Sequence, residues 1–336
     1  MKMRFGIEFL PVISTLDIAY NARIAEEQGF SNIWITDHYN NRNIYVTLTH
    51  VALWTNKITI GAGVANPYHI NPAVIASSIA TIDEISGGRT VLGVGAGDKT
   101  TLADLGIERK NNLAAVRETV EIIRQLWTGK AVTHEGIAFK MPNAKLSFKI
   151  SNILPIYLAA QGPKMTELAA EIAEGVLING SHPQDFVFAD KMLKKGSMKS
   201  QRCITPPNFD VGAYTVFSID KDRDKAIKAA RVPVAYVVAG CLQEVLDRHN
   251  IDKAVSSKIE AELRKGNISD AKGLVNDEMM DIFAVIGDVD EIIDKIESLK
   301  RAGVSQLVVG SPIGPDITKA IKTIGKSIIP VFTKED

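Results

Sequence analysis

The sequence predicts an α/β protein built as a single (β/α)8 barrel with two insertions, and three observations carry that prediction. The first is a shared pattern. EEQGFSNIWIT (26–36), EIAEGVLING (171–180) and KRAGVSQLVVG (300–310) each run from a helix end through a glycine into a β-branched or apolar run. Gly29, Gly175 and Gly303 suit the left-handed position that closes a helix, and the continuous apolar run after each suits a parallel strand buried on both faces. The second is number: about eight such runs alternate with helical spacing, the signature of a parallel sheet. The third is that no composition break or Pro/Ser-rich linker divides the 336 residues, which favours one closed barrel.

The elements follow in order. Strands are expected at 5–9, 33–37, 58–62, 91–95, 156–160, 176–178, 211–217 and 307–310. After the third, residues 63–69 form a loop, and Asn71-Pro72 opens a helix with proline in its first turn. Leu113, Val116, Val120, Ile123 and Leu126 recur at helical spacing, as do Ile292, Ile296 and Leu299. Two stretches exceed a minimal barrel. Residues 131–152, including THEGIAFKMPNAKLSFKISN from Thr133, alternate like a hairpin, and 232–280 read as a helical excursion over one end of the barrel.

Composition removes several function classes. Lys+Arg and Asp+Glu both number 39, so no charge excess calls for nucleic acid or a membrane surface. No apolar run approaches the ~20 residues that span a bilayer, and Glu8 and Pro11 interrupt any signal-peptide core. Cys203 and Cys241 lack motif spacing and read as reduced thiols of a cytoplasmic protein. The six histidines form no pair with ligand spacing, so no metal site is expected.

The chemistry gathers at strand ends. TVLGVGAGD (90–98) looks like a dinucleotide loop, but a Rossmann fingerprint needs GxGxxG in the first βαβ unit. Here Asp98 follows Gly93, Gly95 and Gly97, after the fourth strand. Two readings stay open. Gly93 and Gly95 relieve crowding in a barrel strand, or Ala96, Gly97, Asp98 and Thr101 form a loop at the strand's carboxyl end, where barrel enzymes keep their sites. In the second, main-chain N–H groups and the Thr101 hydroxyl reach an anionic ligand. Glu8 lies in an apolar strand and is either a paired structural carboxylate or a desolvated acid with a raised pKa. Asp37 and His38 end the second strand, as a helix cap or as site residues. Asn66 lies in the third loop, and Gln161, Gly162 and Lys164 meet a helix N-terminus after the fifth strand.

Together ITDH (35–38), GVANPYHINPAVIA (63–76), GRTVLGVGAGD (88–98), RQLWTG (124–129) and PIYLAAQGPK (155–164) resemble the bacterial-luciferase-like superfamily and its members using the deazaflavin coenzyme F420. With FGIEFLP at the start, the full length is similar to the F420-dependent methylenetetrahydromethanopterin reductases of methanogenic archaea. The resemblance implies hydride transfer from reduced F420 to 5,10-methylenetetrahydromethanopterin, giving the 5-methyl product, a step of methanogenesis from CO2. It places Asp37 and His38 by the deazaflavin ring and its hydroxyl, and Asn66 beside the ring. It puts a non-prolyl cis peptide at Gly63–Val64, supporting the ring. Ala96, Gly97, Asp98 and Thr101 fall near the ribityl chain and phosphate, and Gln161, Gly162, Lys164 and Met165 at the tail. Glu8 matches the proposed acid. It also implies a cytoplasmic homo-oligomer, dimer or tetramer. Asp98 departs from the F420-dependent sugar-phosphate dehydrogenases, which carry a catalytic Glu there. Alternatives are an F420-dependent alcohol or sugar-phosphate dehydrogenase, an FMN-dependent monooxygenase, and a flavin-binding barrel without catalysis.

Overall fold

The computed structural model describes residues 2–150, 154–205 and 208–333. Eleven strands occur among them: β1 (Arg4–Phe9), β2 (Asn32–Ile35), β3 (Thr59–Ala65), β4 (Thr90–Val94), β5 (Val132–Glu135), β6 (Lys140–Ala144), β7 (Ile156–Ala159), β8 (Gly175–Asn179), β9 (Asp210–Ile219), β10 (Ala284–Gly287) and β11 (Gln306–Ile313). Eight of them, β1-β2-β3-β4-β7-β8-β9-β11, are parallel neighbours, and β11 returns to β1, so the sheet closes with no free edge. These are the eight runs read from the sequence. The hairpin reading of the first insertion corresponds to the antiparallel pair β5–β6; residues 151 and 152 lie outside the described residues.

Strand β10 is an addition that the sequence reading missed. It pairs with 216–219 of β9, beyond the stretch 210–214 that β8 occupies. It carries the helical excursion, whose Val234, Val238, Leu246, Ile259 and Met280 form a second apolar core against Val216. The excursion thus seals the carboxyl end of β9 by burying a face of its own.

Period-two alternation explains the barrel interior. Along β1, Phe5, Ile7 and Phe9 pack outward into the core shared with the helices, while Arg4, Gly6 and Glu8 point inward. Trp34, Val91, Tyr157, Leu177 and Val308 fill the interior. The Trp34 indole needs glycines around it: a Cβ at Gly6 would stand 3.2 Å from its Nε1, and one at Gly63 2.9 Å from its Cβ. Toward the strands' amino ends the interior is polar. Asp210 accepts from Gln306 Nε2 at 2.7 Å and Tyr157 OH at 3.1 Å, and also meets Ser305 and Arg4. Trp34 Nε1 donates to Gln306 Oε1 at 3.0 Å, closing the network.

Of the three glycines assigned to helix ends, Gly29 (φ +87°) and Gly303 (φ +100°) are left-handed, but Gly175 is not. The preceding helix, Pro163–Ile172, ends on Ala173 instead. Gly175 is already the first residue of β8, and glycine is required there because a Cβ would run into the Tyr157 ring.

Arg89, just before β4, fixes the amino end of that strand. It donates from Nε to Ser86 O, from Nη1 to Thr55 Oγ1 and Ile58 O, and from Nη2 to Ala52 O and Thr55 O. A lysine there has one ammonium group and cannot reach five acceptors in a planar fan. Arg89→Lys is expected to cost roughly 1.5–3 kcal/mol, read as a lower denaturation midpoint with the slope unchanged.

Candidate active site

Strands β1, β3 and β9 bring Glu8, Gly63, Val64 and Tyr214 together beside the end of β11. Glu8 is 6% exposed, and its Oε2 accepts from Ser311 N at 2.7 Å. That amide is available because the β9–β11 register shifts between Gly310 and Ile313, which takes Ser311 out of the ladder. Gly310 leaves room for the carboxyl, since a Cβ there would stand 3.0 Å from Oε2. Burial raises the Glu8 pKa from its usual 4.5 to about 7, against the smaller opposing pull of the Ser311 amide. Among the described residues no cation pairs with it, so it is a desolvated acid rather than a paired structural carboxylate.

Tyr214, half-buried and with its pKa pushed up first by desolvation of the phenol and then by Glu8, donates its hydroxyl to Gly63 O at 3.2 Å. The Gly63–Val64 peptide bond is cis, as is Ser311–Pro312. Val64 answers the question of the glycine run. A Cβ at Gly93 would stand 2.7 Å from Val64 Cγ1, and one at Gly95 2.7 Å from Cγ2 and 3.1 Å from Ala159 Cβ. Gly93 and Gly95 therefore do relieve crowding: the neighbouring strand end meets both through the Val64 side chain, and Gly93 more closely still through the Ala62 carbonyl, which a Cβ there would run into. Gly95→Ala is expected to destabilise the protein by about 1–3 kcal/mol through overpacking. Val64→Ala in the same chain should recover most of that loss, which thermal or denaturant unfolding of the single and double variants would measure.

The third glycine has a different reason. Gly97 is left-handed (φ +71°), and a Cβ would stand 2.9 Å from Asn66 Cγ. Its carbonyl accepts from Arg109 Nη1 at 2.6 Å, a tether absent from the sequence reading. Asp98 caps the short helix Lys99–Asp104, taking the Thr101 amide at 2.8 Å. The Thr101 hydroxyl donates to Asp98 O at 3.2 Å, so its proton is already used within the loop.

At the end of β2 three buried oxygens have no hydrogen-bond partner: Thr36 Oγ1, Asp37 Oδ2 and Tyr45 OH. Asp37 and His38 are not a helix cap; Asn43 caps the next helix, Ile44–Trp54. His69 Nε2 approaches Asp37 Oδ2 to 3.3 Å without hydrogen-bond alignment. Burial lowers the His38 pKa, outweighing the upward pull of Asp98 and Asp37, so its imidazole is neutral at pH 7. Burial, then Asp37, pushes the Tyr45 phenol up.

Gln161 and Gly162 lead into the helix Pro163–Ile172, whose N-cap Gly162 offers no side-chain cap. Lys164 is exposed and Met165 half-buried. The sequence residues thus fall on neighbouring strand ends of one rim.

Residues 11–306 match the luciferase-like monooxygenase family. The chain belongs to that family, in its 5,10-methylenetetrahydromethanopterin reductase branch. The 5,10-methylenetetrahydromethanopterin reductase of Archaeoglobus fulgidus is 51% identical over 332 residues, covering 98% of this chain and 99% of the relative. That of Methanolobus tindarius is 49% identical over 328 residues, covering 97% and 100%. The structure of the coenzyme F420-dependent tetrahydromethanopterin reductase from Methanopyrus kandleri superposes with a TM-score of 0.91 at 42% identity, covering 99% of this chain and all of that one.

The sequence reading missed four residues that the folded chain places at the site: Tyr45, His69, Arg109 and Tyr214. Tyr45 and Tyr214 sit in apolar or β-branched surroundings that read as core, and His69 and Arg109 are lone polar residues in loops. Only folding brings them against Asp37, Gly97 and Gly63.

Proposed function

We propose that this chain reduces 5,10-methylenetetrahydromethanopterin to 5-methyltetrahydromethanopterin with reduced coenzyme F420, a step of methanogenesis from CO2. The observation that carries the reading is Glu8: an isolated carboxyl at the carboxyl end of the barrel, raised to a pKa of about 7 by burial. Opening the substrate's imidazolidine ring needs a proton on the departing nitrogen. Glu8 is protonated in about half of the molecules at neutral pH, which suits a general acid.

The residues present fit the coenzyme. Unpartnered buried oxygens on Asp37 and Tyr45 await a polar ring substituent. The Val64 side chain, seated on Gly93 and Gly95, supports a flat ring at the top of the barrel. When bound, reduced F420 supplies a hydride from C5 of its ring. The chain's part is to hold and to shield. Asp37, His38 and Asn66 border the ring with Gly63 and Val64. Ala96, Gly97 and Asp98 receive the ribityl chain and phosphate through main-chain amides, with Thr101 beside them, and Gln161, Gly162, Lys164 and Met165 line the tail. Positioning of this kind is the larger share of the catalysis.

We also place the enzyme in the cytoplasm as a homo-oligomer. Leu16 and Tyr20 on the helix Thr15–Glu27, and Val46 and Leu53 on the adjacent Ile44–Trp54, are more than half exposed, an apolar surface suited to a second copy.

The test is anaerobic. Mixing the protein with reduced F420 and methylenetetrahydromethanopterin should restore the absorbance of oxidised deazaflavin only when the pterin is present. F420 binding without pterin-dependent oxidation would move the substrate elsewhere. Binding of FMN in place of F420 would overturn the coenzyme assignment.

A further inference from the structure

Among the described residues, four that are not glycine hold a left-handed backbone: Asn111, Gln201, Asn250 and Ile313. The first three are polar and end or border helices. Ile313 is different. It is β-branched, ends β11, is 2% exposed and has φ +71°. A branched Cβ resists that region, and isoleucine keeps it only where its surroundings hold it there. Glycine would take the same conformation without the clash. What isoleucine adds is a side chain buried in the main core.

The effect of that conformation lies two residues back. The β9–β11 register shifts between Gly310 and Ile313, which frees the Ser311 amide to donate to Glu8 Oε2 at 2.7 Å. Beyond the bulge Ile313 pairs with Ser218, and a Cβ at Gly314 would stand 2.7 Å from Ile219 O. The chain is therefore set closely against β9 again, and Ile313 anchors the far side of the bulge.

The same bond assigns the proton of the acid. In a neutral carboxyl the carbonyl oxygen accepts, whereas the hydroxyl oxygen would bring its own hydrogen against the amide. With Oε2 accepting from Ser311, the proton of neutral Glu8 sits on Oε1. A carboxyl turns easily about its last torsion, so without the amide either oxygen could carry it.

We propose that Ile313 is a positioning residue for proton transfer: its buried side chain holds the β11 bulge, the bulge holds the Ser311 amide on Glu8 Oε2, and the proton leaves from Oε1. This rests on the reading above that Glu8 is the acid. In the transfer the Oε1–H bond breaks and the lone pair of the substrate nitrogen takes the proton. The C–N bond then opens with its electrons on that nitrogen, and the Glu8 carboxylate is reprotonated from solvent. Among the described residues the Tyr214 phenol of β9 is the other titratable group acting on Glu8, and it keeps its proton. The Ser311 hydroxyl adds a weaker pull of the same sign as the amide.

The test is the pH profile of turnover, with KM for coenzyme and pterin, in the parent, Ile313→Gly and Ile313→Val. Glycine keeps the backbone conformation available but removes the anchor. The amide favours the ionised carboxyl, so its release should move the falling limb, near pH 7 in the parent, upward by about half a unit or more. Turnover below that limb should nonetheless fall roughly 10–100-fold, because the proton is no longer aimed, while both KM values change little. Ile313→Val keeps a branched, buried anchor and should stay close to the parent. Partial unfolding does not imitate this pattern: it scales the whole profile down and leaves the limb in place.

A second measurement needs no change at 313. Below the Glu8 value, the infrared difference between the parent and Glu8→Gln isolates the neutral Glu8 carboxyl, whose C=O stretch should lie at the lowered position of a hydrogen-bonded carbonyl. An unmoved limb in Ile313→Gly, or a carbonyl stretch at the free position, overturns the inference. If that happens while Glu8→Gln still loses turnover, Glu8 remains the acid and only the inference falls. If Glu8→Gln keeps its turnover, both fall.

Discussion

Glu8→Gln is expected to lower turnover by roughly 10²–10⁴-fold, the usual worth of a positioned proton donor, while F420 binding changes little. Gln keeps the shape of the side chain and an oxygen to accept from Ser311 N, so the local hydrogen bond at 2.7 Å survives. What disappears is the transferable proton. The pH profile should change with it. In the unmodified enzyme the rate falls as pH rises through about 7, where Glu8 loses its proton; in the variant that limb should be absent.

Stability moves the other way, and the sign follows from linkage. Folding raises the Glu8 pKa from 4.5 to about 7, so the folded state holds the proton more tightly than the unfolded one. The fold is then favoured below pH 4.5 relative to higher pH, and stability declines as pH rises from 4.5 through 7. A shift of about 2.5 units corresponds to roughly 3 kcal/mol, so Glu8→Gln should be more stable than the parent at pH 8 by up to that amount. At pH 4, below the unfolded value of 4.5, Glu8 is largely protonated in both states and the two should nearly coincide. A variant that loses rate and also loses stability at pH 8 would make Glu8 a structural residue.

How much of this was legible in the sequence depends on the range of the interaction. All eight barrel strands could be read, because a strand buried on both faces is a continuous apolar run that needs no partner to be recognised. Strand β10 could not: AVIG follows directly on the helix Asp277–Phe283 with no glycine or proline between them to mark a boundary, and four residues are too few to show a period. Gly175 was misread because glycine after a helix serves both to close it and to clear a ring, and only Tyr157, on another strand, decides which. The glycine run had the same ambiguity. Its spacing excluded a dinucleotide loop, but Val64, which gives Gly93 and Gly95 their purpose, belongs to a different strand. Glu8 was visible as the one acid in an apolar run. That it is unpaired depends on Ser311 and Gly310 at the far end of the chain.

The interior polar network is the part least visible in the sequence, and it yields the largest expected loss of stability. Asp210 is buried and accepts from Tyr157, Ser305 and Gln306, with Arg4 beside it. Asp210→Ala strands the Tyr157 hydroxyl and the Gln306 amide inside the barrel and leaves Arg4 unpaired. The expected cost is about 3–5 kcal/mol. Most of it should come from the stranded donors rather than from the ion pair, because the Arg4 side chain is 46% exposed and water can take over its charge. That division can be tested. Arg4→Met removes the cation but leaves Asp210 its three other donors, so it should cost clearly less than Asp210→Ala. Denaturant midpoints of the two variants make the comparison. A larger loss for Arg4→Met would mean that the ion pair, not the hydrogen-bonded floor, holds this end of the barrel together. Neither change touches the rim at the opposite end, so the folded fraction of each variant should keep its affinity for the coenzyme.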